Sequence, residues 1–511
     1  MKTVLNDTDL SFAESIRRLN ATNPFLPDRI ACEREALGAD FVEAEASWNT
    51  RPPAAELHPH HARLRQRCEI WLQQVSSRWP KTGKAPIDDK RLFTEVVGFW
   101  LYQRYAVKFD DLIRRGRAGE QDAMRPAFYR SFKEDTERYF GLPGLDELGG
   151  LNAPHLFACA FQIRRAFHHV FHYLVGGSLP MARLRAAIWQ SVFSHDLARY
   201  RRVLFNRMGD FATLITGSSG TGKELVAQAI AFSRYVPFEP RKGGFSDSFA
   251  AVFFPLNLSA LSPTLIESEL FGHRRGSFTG ATGDRVGWME QCPETGVVFL
   301  DEIGDVDTSV QVKLLRVLQS RTFQRLGETE DRKFIGKIVA ATNQDLARRM
   351  ETGEFREDFY YRLCSDIIRT PTLREQLDAS PEDLAVMINA IAARLVGPDE
   401  QASFGRQAVH WIERNLGASY AWPGNFRELE QCARNLLIRG EYQPTDHCSN
   451  TPEWLAKFTT GHLTERDLLE HYTRRVFADC GTLEAAASRL GVDRRTVRAR
   501  LPEGKLKRGR R

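Results

Sequence analysis

The chain has 511 residues, of which 42% are hydrophobic and 27% charged, with a net charge of +6. At roughly 100–200 residues per domain, that length holds about three or four domains of ordinary globular composition, and the charge is too mild to mark a nucleic-acid binder by itself. The eight cysteines are scattered with no CxxC pair, which argues against a disulfide framework or a zinc cluster, and no apolar run of membrane length or signal-peptide core occurs. The expected setting is therefore the cytoplasm.

Residues 1–175 read as an all-α domain. Phe93, Val96, Val97, Trp100 and Leu101 recur at helical spacing, as do Leu156, Ala160, Ile163, Phe167, Val170 and Leu174, before Gly176 and Gly177 end the pattern. The stretch 51–60, with Pro52, Pro53 and Pro59, reads as a loop that also holds His58 and His60, with His61 next to it. His168 and His172 stand one turn apart, the spacing of a helical metal pair. No third ligand accompanies them, so a polar helix face is the better reading.

Between 176 and 372, short β-rich runs at 212–216, 251–256, 297–300 and 335–341 alternate with helical ones, the pattern of an α/β unit with a parallel sheet. Residues 373–442 read as helical, and 443–462 as a linker rich in proline, serine and glycine. The segment Gly217-Ser218-Ser219-Gly220-Thr221-Gly222-Lys223-Glu224 lies between a predicted strand and a helix, the context of a P-loop. Its glycines let backbone N–H groups converge on phosphate oxygens, and Lys223 supplies a point charge for the β- and γ-phosphates. Glu224 stands where the motif usually has a magnesium-binding Ser or Thr. A second element, Val297-Val298-Phe299-Leu300-Asp301-Glu302, is an apolar strand ending in two acids. Asp301 is expected to hold Mg2+ and Glu302 to activate the attacking water.

Residues 463–511 read as three helices. Thr482 is expected to cap a helix over 483–490, Gly491 to make the turn, and Asp493 to cap a second helix over 494–501. Ala486, Leu490, Val492, Val497 and Leu501 supply the interior. Arg494, Arg495, Thr496 and Arg498 then form the face that a helix-turn-helix lays in the major groove of DNA, and a basic tail follows.

On these motifs the stretch 177–442 resembles the AAA+ domain of sigma-54-dependent transcription activators. The most specific piece is Glu267-Ser268-Glu269-Leu270-Phe271-Gly272-His273 followed by Gly276-Ser277-Phe278-Thr279-Gly280-Ala281. The family writes this second part GAFTGA, with Ala where this chain has Ser277, and the resemblance makes it the loop that touches the sigma factor. By the same resemblance Asn257 is a switch partner of Glu302, and Asn343 in Ala341-Thr342-Asn343 is sensor I. Arg356 and Arg362 are arginine fingers acting on the neighbouring subunit's ATP, and Arg427, in Trp422-Pro423-Gly424-Asn425-Phe426-Arg427, is sensor II. Residues 463–511 resemble the family's Fis-like DNA-binding domain, whose leading helix, here 465–478, helps to form a dimer. Two stretches, 188–212 and 234–250, are longer than the family pattern and are expected to alter nucleotide access or subunit contacts.

The resemblance implies an ATPase that assembles as a homo-oligomeric, hexameric ring. It binds an upstream site on double-stranded DNA and remodels sigma-54 RNA polymerase from closed to open complexes. It also makes 1–175 a regulatory domain, although no receiver or ligand-sensing pattern is legible there. The rival readings are an AAA+ DNA-binding regulator that does not engage sigma-54, and a different AAA+ machine.

Overall fold

The computed structural model describes residues 3–45, 59–120, 124–146, 152–247, 252–444 and 463–501. They fall into two compact units, 1–440 and 441–511.

The first unit opens with six helices: α1 (Asp7–Ala21), α2 (Asp28–Leu37), α3 (Pro59–Arg78), α4 (Ile87–Arg117), α5 (Tyr129–Phe140) and α6 (Ala153–Tyr173). Local sequence fixes their starts. Asn6 and Asp9 form a capping box on α1, and the Asn152 side chain accepts the His155 N–H at the head of α6. The long α4 buries Phe93, Val97, Trp100 and Phe109, and α6 buries Phe157 and Phe161. Phe157 is an aromatic hub, with the rings of Phe109, Phe128, Tyr129 and Phe132 at 5.0–5.4 Å. Such edge-on contacts add to what area burial alone supplies.

One expectation for this region needs correction. Residues 51–58, including His58, lie outside the described residues, but Pro59 opens α3 instead of extending a loop. Proline suits a first helical position because the N–H it lacks has no partner there. His60 is accordingly a core residue, with its Nε2 accepting the Val42 N–H at 3.3 Å and its Nδ1 3.5 Å from Glu33. His168 and His172 do share a helix face, and the Arg117 guanidinium occupies the space between them, with its two Nη atoms each 3.0 Å from one Nε2. Burial and that guanidinium hold both imidazoles below their usual range, so they accept from arginine as neutral rings.

Next come α7 (Leu179–Phe193) and a five-stranded sheet of β1 (Thr213–Thr216), β2 (Phe253–Asn257), β3 (Val297–Asp301), β4 (Lys337–Thr342) and β5 (Asp366–Arg369). The order is β5-β1-β4-β3-β2 and every pairing is parallel. β1 to β4 match the predicted runs to within about two residues, the usual uncertainty of element ends. β5 was not anticipated, because Asp366-Ile367-Ile368-Arg369 is short and only Ile368 is fully buried.

Hydrophobic cores lie on both faces of the sheet. One is closed by the helices Pro263–Phe271 and Thr308–Ser320. The other joins α7, the P-loop helix Lys223–Ala231 and the C-terminal half of α6, through Val226, Ile230, Ala166 and Val170. The N-terminal helices thus share a core with the sheet.

Residues 373–442 are helical as expected, and this helical segment is called the lid below: Leu373–Ala379, Asp383–Asn415 broken at Gly397 (φ 79°), and Asn425–Arg439. The Asp383 carboxylate accepts the N–H groups of Gly177 and Ser178 at 2.8–2.9 Å, which ties the lid to the stretch leading into α7.

The second unit has helices Glu465–Cys480, Leu483–Leu490 and Arg494–Ala499 around Val476, Ala486, Ala487 and Val497. The expected caps are present: Thr482 accepts the Ala485 N–H, and Asp493 accepts the Arg495 N–H at 2.7 Å. The linker from 445 to 462 and the tail from 502 lie outside the described residues. Among those described, no helix is long and apolar enough to cross a membrane.

Candidate functional site

The glycine-rich loop leaves β1 at its C-terminal end, where open parallel sheets place their ligands. Gly217, Gly220 and Gly222 all have positive φ, with Gly222 left-handed immediately before the helix that starts at Lys223. Gly220 has a second constraint. A Cβ there would stand 2.3 Å from the Gly424 carbonyl oxygen, so only glycine lets the lid lie this close. The Lys223 ammonium rests on the carbonyls of Gly217 and Ser218 at 3.1 and 3.4 Å. Burial lowers its pKa, while Glu302 and Asp301 act in the opposite sense. Thr221 donates its hydroxyl to the Ser218 carbonyl at 2.8 Å and lies 2.7 Å from the Thr370 hydroxyl, and Glu224 is exposed on the helix.

Asp301 ends β3 and takes the Glu302 N–H on its own carboxylate at 3.0 Å. Glu302 is left-handed (φ 55°, ψ 48°), uncommon for a residue with a side chain and often tied to function. Its Oε2 lies 3.4 Å from the Asn343 N–H, which brings the sensor I position to the acid through the backbone. Asn257 pairs with Asp301 in the β2–β3 register, but its side-chain oxygen accepts from the N–H and hydroxyl of Ser259.

The lid closes over the loop. Arg427 donates to the Ser219 hydroxyl at 3.2 Å, the Asn425 amide donates to the Ser219 carbonyl at 2.9 Å, and the Phe426 N–H donates to Gly220. Asn425 and Trp422 both have positive φ. Asn425 also accepts the Leu373 N–H, joining two lid helices at one side chain. Sequence reasoning missed Asn425 and Thr370. The Trp-Pro-Gly-Asn turn before an apolar helix is the signal that points to Asn425, since asparagine tolerates left-handed backbone.

Arg356 caps helix Glu357–Leu363, and its guanidinium forks onto Asp358 at 2.7 and 3.0 Å. Arg362 is exposed on the same helix. Neither acts on Lys223 within the chain, where the neighbouring charges are Glu302, Asp301 and Arg427.

The segment Gly276–Ala281 tips a hairpin paired through Gly272–His273 and Arg285–Val286. It is closed by the Gly276 N–H to Ala281 and the Ala281 N–H to Phe278. Arg274 braces its base through Asp284 and Glu328. Phe278 stacks edge-on against His273 at 5.0 Å, Ser277 tucks against Gly327, and Thr279 and Gly280 are exposed. In the second unit, Arg495 and Arg498 are exposed and Thr496 is half-buried. Arg494 is also exposed but pairs with Glu484 at 2.7 Å.

Residues 194–369 match the family described as the sigma-54 interaction domain. The domain starts where α7 ends, holds the P-loop, the two acids, the 276–281 hairpin tip and both arginines, and finishes with β5. Among curated relatives, the Nif-specific regulatory protein of Azotobacter vinelandii is 42% identical over 228 residues, which is 45% of this chain and 40% of that protein. The hydrogenase transcriptional regulatory protein HoxA of Bradyrhizobium diazoefficiens is 34% identical, covering 57% of this chain and 59% of its own. The transcriptional regulatory protein ZraR of Klebsiella oxytoca is 36% identical, covering 57% and 63%. The chain therefore spans less than two thirds of each of these relatives. The lid residues Asn425 and Arg427 lie C-terminal to the matched domain, although their side chains complete its nucleotide loop.

Proposed function

We propose that this protein is a transcription activator that couples ATP hydrolysis to the opening of sigma-54 RNA polymerase complexes. The observation that carries the reading is the match to the sigma-54 interaction domain with its 276–281 tip exposed at Thr279, on the same fold as a glycine-rich P-loop and an acid pair. In this reading Gly217–Gly222 and Lys223 bind the ATP phosphates, and Arg427 reports the nucleotide to the lid. Glu302 orients and deprotonates the attacking water, its carboxylate steadied by the Asn343 N–H. Asn257 becomes its partner only after turning from Ser259.

The donor set suits Mg2+. That ion binds through one or two carboxylates together with phosphates and waters, so Asp301 suffices although Glu224 brings no hydroxyl. Bound there, Mg2+ would offset phosphate charge. Arg356 and Arg362 serve the neighbouring subunit in a hexameric ring, which fits a Lys223 whose neighbouring charges within the chain are Glu302, Asp301 and Arg427. A guanidinium supplied across the interface stabilises charge on the transferred phosphoryl group.

The 463–511 unit anchors the ring to double-stranded DNA. Arg495 and Arg498 are free to meet bases or phosphates, and Arg494 can do so once released from Glu484. The helices of 1–175 carry the regulatory input.

A reporter driven by a sigma-54 promoter tests the reading in cells with and without sigma-54. The proposal expects activation only when sigma-54 is present. Regulation that persists without it makes the protein a DNA-binding regulator of another polymerase form.

A further inference from the structure

The two stretches that exceed the family pattern, 188–212 and 234–250, come together in the fold. The first passes from the end of α7 through a turn capped by Asp196 into a π-turn over Tyr200–Leu204. The second makes a small hairpin from Phe238–Glu239 and Gly244–Phe245. Both grip the N-terminal helices. Phe238 and Phe245 enter the aromatic cluster around Phe157, at 4.9 and 5.9 Å. His155 of α6 meets the Tyr235 hydroxyl at 2.9 Å and the Arg201 carbonyl at 2.6 Å, and Arg201 pairs with Glu95 of α4. Gln162 of α6 accepts the Tyr200 O–H at 2.7 Å and donates to the Ser233 carbonyl.

Between these contacts is a cavity of about 130 Å³. An apolar cavity of about 150 Å³ is enough to admit benzene. The body of this one is apolar and aromatic, lined by Val192, Phe205, Met208, Ile230 and Tyr235. Its floor has two cations, Lys337 at the head of β4 and Arg234. Lys337 is 2% exposed and donates to the carbonyls of Phe211 and Met208 at 2.6 and 3.3 Å; Arg234 donates to the Gly296 carbonyl. Among the described residues neither makes an ion pair. Of the carboxylates on the wall, Asp247 accepts from Thr295 at 3.3 Å, and Glu294 completes the set. Burial, helped by the neighbouring guanidiniums, pushes the Lys337 ammonium down to about 7 and Arg234 down to about 10. The carboxylates of Asp366, acting on Lys337, and Glu294, acting on Arg234, offset that burial only in part. Buried cations that are incompletely neutralised are costly, and pockets with perturbed groups at domain junctions are where ligands bind.

We propose that this cavity is a binding site for a small organic carboxylate, whose anionic group pairs with Lys337 and Arg234 and whose apolar body lies against Phe205, Met208 and Val192. α6 contributes Gln162 to its wall and the α/β unit with its two long stretches contributes the rest, so an occupant touches both. The site is a route for a signal into the motor that needs no detachment of the helices. This last step rests on the functional reading above, but the binding itself does not.

The test is calorimetric titration of the full chain, without nucleotide or polymerase, using sodium benzoate, sodium succinate and inorganic phosphate as probes and sodium chloride at matched ionic strength as control. The expected result is saturable binding of one of the carboxylates, weakened at least about tenfold by Lys337→Met. Met208→Trp keeps both charges and fills the space, so it should abolish binding even if Lys337→Met fails to fold. Binding of phosphate alone overturns the assigned ligand class. Absence of binding by all three probes, or binding that Met208→Trp leaves unchanged, overturns the site. Each result is independent of whether sigma-54 is engaged.

Discussion

The two ends of this chain are joined to the central α/β unit in different ways. The N-terminal helices have no surface of their own toward the sheet and its helices. α6 lies on the P-loop helix within one hydrophobic core, and the 234–247 segment sends Phe238 and Phe245 into the aromatic cluster of α4 to α6. Residues 441–511 form a separate compact unit with a small core of four buried residues. A region that shares a core can act on its neighbour by changes in packing. A self-contained unit can hold the protein at a place without altering how the rest folds.

Deleting either end breaks or sharpens this contrast most sharply. Removal of 1–175 bares the apolar faces of α7, the P-loop helix and the 238–245 hairpin, and the remainder is expected to be insoluble on expression. Removal of 441–511 should shift the melting temperature of 1–440 by less than about 2 °C. A soluble, ATP-hydrolysing fragment from 176 onward would show that the shared core is dispensable.

Phe157→Ala comes next. The side chain is fully buried and meets rings from α4, α5 and the hairpin, so the expected loss is about 3–5 kcal/mol in denaturant unfolding. The variant should lose the N-terminal helices and the ATPase core in one transition, with the 463–501 helices unaffected.

A smaller effect follows from acid. His169 of α6 is 7% exposed and faces Phe232, just past the P-loop helix, with ring centroids 5.3 Å apart. Burial, then Arg165 and the adjacent histidines, pushes its pKa down to about 2. The unfolded chain has a histidine pKa near 6.5, so the unfolded state binds the extra proton first. The stability this residue contributes is complete above about pH 6.5 and declines as pH falls. Between pH 7.5 and pH 5 the loss should be about 2 kcal/mol, and His169→Phe should flatten the profile.

Arg495→Ala should change stability least, by less than about 0.5 kcal/mol, because the side chain is exposed and makes no ion pair among the described residues. It should still weaken DNA binding by about 1–3 kcal/mol in a titration at fixed salt. No effect on DNA affinity would remove the Arg494–Ala499 helix from the DNA-reading role.

The same contrast governs what could be read from sequence. The P-loop, β3 with its two acids, and both caps of the C-terminal unit were legible because each is a local pattern with its own physical cause. The N-terminal helices were legible only as helices, since packing among Phe109, Phe157 and Phe238 joins residues far apart in the chain and leaves no periodic mark. The two long stretches showed as excess length. Their hold on α6 was not legible, because Tyr235, Phe238 and Phe245 meet partners up to about a hundred residues earlier. At the glycine-rich loop, Arg427 was singled out by its motif, and its side chain meets Ser219. Asn425 was missed because its role depends on a left-handed backbone and on two partners, Ser219 and Leu373, from other elements.

The most direct test of the central claim is open-complex formation in vitro by the full chain with ATP and sigma-54 polymerase, with ATP turnover followed in the same reaction. The account predicts that the wild type opens the promoter, and that Thr279→Ala still hydrolyses ATP but opens none. Equal promoter opening by Thr279→Ala, or ATP turnover by the wild type with no opening under any condition that supports binding to DNA, would contradict it.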